Sequence, residues 1–148
     1  MKVNQLVDAV HVLSVRSFHD RIAHMRREMA RHGIEFEFVF EFDANAIPDE
    51  LIARTFAPSD MKRVHQSLVL KHIETWRRCV EQGWRRVLVF EDDAVLSRDF
   101  DAGLERALAQ AEDGHADADQ DEEDGDERPG EAHDAEFPPP GSFAEHEE

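Results

Sequence analysis

The chain has 148 residues and a formal charge of −17, from 34 acidic and 17 basic side chains. Residues 1–110 carry 18 acids against 16 bases, whereas residues 111–148 carry 16 acids against Arg128 alone, so the acidity belongs to the tail. That tail contains no Val, Ile, Leu, Met or Trp and four of the six prolines, which excludes an apolar core there and predicts a disordered acidic segment.

Residues 1–110 are left as a single near-neutral globular domain. Cys79 is the only cysteine, which excludes an intramolecular disulfide and a cysteine-based zinc cage and fits a reducing compartment. The acidic balance argues against nucleic acid as a partner. The N-terminus lacks the apolar run of a signal peptide and no stretch approaches 18 apolar residues, so the expectation is a cytoplasmic protein with at most peripheral membrane contact.

In chain order, residues 9–15 (Ala-Val-His-Val-Leu-Ser-Val) are rich in β-branched residues and too short for a stable helix; they predict a buried strand. Ser17 and Asp20 resemble a capping box, Phe18, Ile22, Met25 and Met29 recur at helical spacing, and Gly33 stands where a helix would stop, predicting a helix over 18–32. Phe36, Phe38, Phe40 and Phe42 alternate with other residues and predict a strand with four rings on one face. Strand, helix and strand in this space make a parallel βαβ unit.

After a loop with Pro48 and Pro58, Ser59 is placed to cap a helix whose apolar stripe runs through Met61, Val64, Leu68, Ile73, Trp76 and Val80 and ends at Gly83, with Trp76 in the core. Residues 86–90 (Arg-Val-Leu-Val-Phe) predict a central strand that ends in Glu91, Asp92 and Asp93. A last helix capped by Ser97 buries Phe100, Leu104 and Leu108 and fades near Ala111. The resulting order is β-α-β-α-β-α, an open α/β layer.

Ligands of open α/β sheets bind beyond the carboxyl ends of the strands, where the three acids fall. Like charges so close repel, and a shared cation relieves them; an all-oxygen set suits Mg²⁺ or Mn²⁺, which would hold a diphosphate. Ser14, Arg16 and Arg21 lie at the same sheet edge or on the helix beside it, where backbone amides, helix dipole and guanidinium groups favour a phosphate.

Four blocks then stand in one order: residues 9–17 with Arg21; 33–38; 70–76 (Leu-Lys-His-Ile-Glu-Thr-Trp); and 87–96 (Val-Leu-Val-Phe-Glu-Asp-Asp-Ala-Val-Leu). Over residues 8–108 these resemble glycosyltransferase family 25, which includes lipopolysaccharide and lipooligosaccharide galactosyltransferases. The resemblance implies a GT-A-like, mostly parallel open sheet, a UDP-sugar donor, a Mn²⁺ or Mg²⁺ ion and a glycolipid or oligosaccharide acceptor. It matches Glu91, Asp92 and Asp93 to the family's DxD element, with Asp93 and Glu91 as metal ligands, and makes Ser14, Arg16, Arg21, His72 and Asp92 donor-binding candidates. It names no catalytic base. The chain departs from the pattern ahead of His72, where Lys71 replaces the usual serine and the glycines are absent, and it is short for the family, so the sheet is expected to look truncated.

Two other readings were set against a hexosyltransferase acting at the inner face of the cytoplasmic membrane. A response-regulator receiver accounts for residues 87–94 but requires a later lysine, and none follows Lys71. A non-catalytic nucleotide-sugar-binding relative would act as an interaction module through its acidic tail.

Overall fold

A computed structural model describes residues 2–58 and 60–118, with side chains described to residue 111; the expected disordered tail beyond residue 118, and Ser59, lie outside the described residues. The sheet, the core and the candidate site all belong to the compact unit Met1–Glu112. The described elements are α1 (Val3–Leu6), β1 (Ala9–Leu13), α2 (His19–His32), β2 (Glu37–Val39), α3 (Asp49–Thr55), α4 (Arg63–Gln82), β3 (Val87–Glu91) and α5 (Phe100–Ala118). The expected α/β alternation is present, as a small open parallel sheet with helices around it.

The sheet order is β2-β1-β3. Both pairings are parallel: Val12 stands opposite Phe38 in β2 and Phe90 in β3, and Leu13 opposite Val39 and Glu91. Pleat alternation divides the side chains between two faces. On one face Val10 and Val12 join Met25 and Met29 of α2, Val3 and Leu6 of α1, Ile34 and Leu96, with Leu88, Phe90, Phe100 and Leu104 packed against them. The opposite face presents His11 and Leu13 toward α4, which packs on β1. Gly33 and Gly83 end α2 and α4 in the left-handed conformation, at φ 61° and 66°, where a glycine meets no Cβ penalty.

Several expectations fail in detail. The cap of α2 is Phe18, without a side-chain bond, so the Ser17/Asp20 box does not form. β2 stops at Val39, and Phe42 adopts φ 62°, which breaks the row after Phe36, Phe38 and Phe40. α1 and α3 were not anticipated; both are too short for periodicity to register. β3 is a half-buried edge strand among the described residues, not a central one. α5 begins at Phe100, with its N–H on the Ser97 carbonyl, and runs to Ala118, into the segment expected to lack structure.

The largest correction concerns α4. It begins at Arg63, after Met61, and Val64, Trp76 and Val80 point to solvent, Trp76 at 61% exposure and Val80 at 82%. The buried face is Gln66, Ser67, Leu70, Lys71, Glu74 and Thr75. Apolar spacing locates an amphipathic stripe but not the partner it faces; here polar groups turn inward because bonding partners await them. Ser67 donates to the Phe42 carbonyl, and Glu74 accepts from Arg77 and Arg78.

Candidate functional site at the carboxyl edge of the sheet

The chain leaves β1 toward β2 on one side and returns through α4 to β3 on the other, so the strand order reverses between the carboxyl ends of β1 and β3. Such switch points open a crevice where ligands of α/β sheets sit. Ser14 follows β1 and Asp92 follows β3. The Ser14 hydroxyl donates to Asp92 Oδ2 at 2.8 Å, and Arg21, in the first turns of α2, donates to Asp92 Oδ1 at 2.7 Å. Both carboxylate oxygens of the buried Asp92 are thereby engaged within the protein, so it reaches a ligand through the groups it holds.

Arg21 is also 3.8 Å from Asp93, whose side chain is 67% exposed. Its pKa is raised, first by the Asp92 hydrogen bond and then by the charges of Asp92, Asp93 and Glu91, so the guanidinium is held firmly cationic. Within the fold, Arg21 compensates part of the charge of the acidic triplet. Among the described residues, no three His, Cys, Asp or Glu side chains are gathered closely enough to hold a metal ion by themselves.

Arg16 stands at the neighbouring strand end. Its amide donates to Asp43 Oδ2 at 3.1 Å, and its guanidinium lies over the Phe40 ring, 4.8 Å from the centroid. It makes no ion pair among the described residues, which leaves an exposed cation at the carboxyl edge of the sheet. Phe18, 45% exposed, lies under Arg21 at 5.4 Å.

Ser14, Arg21, Asp92 and Asp93 are thus brought together, with Arg16 adjacent and Glu91 acting on Arg21 through its charge. His72 is placed otherwise: its ring lies against Trp76 on α4, 6.1 Å between centroids. A second cluster escaped sequence reasoning. The Lys71 ammonium, 3% exposed, donates to Asp43 Oδ1 at 2.8 Å and to the Glu41 carbonyl at 2.6 Å. The available signal was a lysine where the resembling family carries serine, followed from β2 by an aspartate one residue past the phenylalanine row.

His24 and Glu28 fasten the segment after the acids from α2. His24 Nε2 meets the Ala94 carbonyl at 2.8 Å, and Glu28 accepts from the Leu96 amide at 3.0 Å and from Arg31. The Leu96 amide, then Arg31, lowers the Glu28 pKa despite desolvation.

Comparison with known proteins gives the family of the chain. Residues 7–123 match the model of glycosyltransferase family 25 (LPS biosynthesis protein). The chain is 31% identical over 108 residues to the lacto-N-neotetraose biosynthesis glycosyltransferase LgtB of Neisseria meningitidis serogroup B, covering 68% of this chain and 36% of that protein. It is 30% identical over 101 residues to LgtE of the same organism, covering 64% of this chain and 35% of LgtE. With the lipooligosaccharide biosynthesis protein lic2B of Haemophilus influenzae it shares 27% identity over 100 residues, covering 64% and 36%. The chain therefore spans about a third of the length of the curated relatives it matches. A family match over residues 7–123, more than half of the chain, means that the chain belongs to glycosyltransferase family 25.

Proposed function

We propose that this chain provides the donor-nucleotide side of a GT-A-type glycosyltransferase that moves a hexose, galactose in the first instance, from a UDP-sugar to a lipopolysaccharide or oligosaccharide acceptor of the cell envelope. The observation that carries the reading is the junction of Ser14, Arg21 and Asp92 across the carboxyl ends of β1 and β3. It holds Arg21 at the carboxyl edge of the sheet, while the guanidinium of Arg16 makes no ion pair among the described residues. Two guanidinium groups at one sheet edge suit a diphosphate, whose oxygens accept their N–H groups. No helix among the described residues is long and apolar enough to cross a membrane.

Mn²⁺ or Mg²⁺ fits the hard oxygen donors present. Such ions are commonly held by one or two carboxylates together with substrate phosphates and water, and the exposed Asp93, at 3.8 Å from Arg21 rather than in a hydrogen bond, has its carboxylate free to contribute. Asp93, with Glu91, would hold the ion; when bound, it neutralises charge on the departing diphosphate. The protein's own groups bind and orient: Arg16 and Arg21 take the anion, Asp92 fixes Arg21, and Ser14 fixes Asp92. His72 remains a donor-side candidate through the family resemblance alone. The acceptor hydroxyl requires a base, for which no residue is assigned.

Calorimetric titration of the full chain with UDP, with and without Mn²⁺, tests this reading. Binding strengthened by Mn²⁺ and weakened by Arg21→Ala is expected; no binding of UDP under either condition sinks it. Turnover of UDP-galactose, measured alongside, separates an active transferase from a nucleotide-binding relative.

A further inference from the structure

We infer that Asp43 and Lys71 are positioning residues of the donor site and act through Arg16; the inference rests on the reading above. Asp43 lies just beyond β2 and bridges two donors, the Arg16 amide at the exit of β1 and the Lys71 ammonium from α4. One carboxylate therefore ties together three segments that are distant in sequence. Lys71 adds a bond to the Glu41 carbonyl, and Ser67, one turn before it on α4, donates to the Phe42 carbonyl at 2.6 Å. Between these two anchored carbonyls and Asp43 sits Phe42, at φ 62°. A bulky residue occupies that region only when its surroundings over-determine it, and such positions cluster at binding sites.

A lysine and an aspartate at this place are not what packing alone requires. Desolvating two charges is costly, and an apolar pair of similar volume is often as stable or more so. The pair does something an apolar contact cannot: it fixes the direction in which the chain leaves β1. Arg16 is the residue whose amide is held, and its side chain runs from that fixed point across Phe40. Without Asp43 the amide loses its partner, the β1 and β2 exits are no longer tied, and the guanidinium is free to sample positions away from a diphosphate.

The full chain and its Asp43→Ala, Lys71→Met, Arg16→Ala and combined variants are titrated with UDP in Mn²⁺, with melting temperature followed in parallel. Asp43→Ala and the double variant D43A/K71M are expected to weaken UDP binding about tenfold, the scale of one charge-assisted contact. In the Arg16→Ala background the same changes should shift affinity less than about twofold, because the group they position is gone. A structural clamp would instead lower affinity equally in both backgrounds, and that result overturns the inference. Wild-type affinity in D43A/K71M overturns it too, as does failure of that charge-free variant to fold. If the wild-type chain binds no UDP, the functional reading falls and takes this inference with it; binding without coupling to Arg16 removes this inference alone.

Discussion

Ser14 and Asp92, 78 residues apart in sequence, meet at 2.8 Å where β1 and β3 end together. The bond joins the two halves of the candidate site and makes Asp92 and Asp93, neighbours in sequence, unlike in role. Asp92 is buried and doubly bonded; Asp93 is exposed.

That difference is measurable. Asp92→Ala strands the buried Ser14 hydroxyl and releases Arg21, and should cost about 1–3 kcal/mol, lowering the melting temperature by about 5 °C or more. Asp93→Ala should change stability by less than about 0.5 kcal/mol while abolishing the Mn²⁺-dependent part of UDP affinity. Chemical denaturation and calorimetry on the same two proteins decide it; equal destabilisation by both substitutions would contradict the assignment of roles.

The outward face of α4 makes a second prediction. Trp76→Lys and Val80→Lys replace side chains that are mostly in water, so each should alter unfolding free energy by less than about 0.5 kcal/mol. Met25→Ala empties a fully buried position against β1 and should cost about 2–5 kcal/mol. Urea midpoints at constant slope are the measurement. A loss above about 2 kcal/mol for Trp76→Lys would place that face inside the folded protein.

His11 carries a pH prediction. Its ring is buried beside Trp84, at 5.7 Å between centroids, and neither nitrogen has a partner among the described residues. Burial, followed by the charge of Arg78, depresses its pKa below the ordinary 6.5, against weaker pulls from Glu37 and Glu41. The folded state therefore binds the proton less readily than the unfolded chain, and stability fully present above about pH 6.5 is lost as pH falls toward the depressed value. Melting temperature should decline as pH falls below about 6.5 in the wild type and decline less in His11→Phe. An unaltered decline in the variant would assign it to another group.

Carboxylates act in a lower window. Burial pushes the Glu74 pKa up, but hydrogen bonds from Arg77 and Arg78 outweigh it and the net shift is downward. Stability from this group is present above its unfolded value and is lost as pH falls below about 4.5. Glu74→Gln should flatten the acid limb of the stability curve below about pH 4.5 and leave the His11 limb unchanged; loss of the upper limb instead would show that the two regions titrate together.

The sheet-forming segments were legible because their signals are local. Residues 9–13 and 87–91 announce strands by β-branched density, and Gly33 and Gly83 mark helix ends because left-handed backbone is cheap only there. The site was legible in part: acids after a strand and arginines after another fall at one edge in any parallel sheet. The Lys71–Asp43 pair was not, since neither residue belongs to a pattern and their partnership exists only once β2 and α4 are packed.

The amino-acid order alone thus determined the types of six of the eight described elements, the parallel βαβ start and which sheet edge would gather charge, because propensity, periodicity and turn chemistry act within a few residues. Tertiary structure decided three other matters: that α4 buries its polar face, that β3 lies at the edge of the described sheet, and that Arg21 pairs with Asp92 among the acids. Each depends on which group stands across from which, and partner choice is settled by packing and hydrogen-bond satisfaction between segments far apart in the chain.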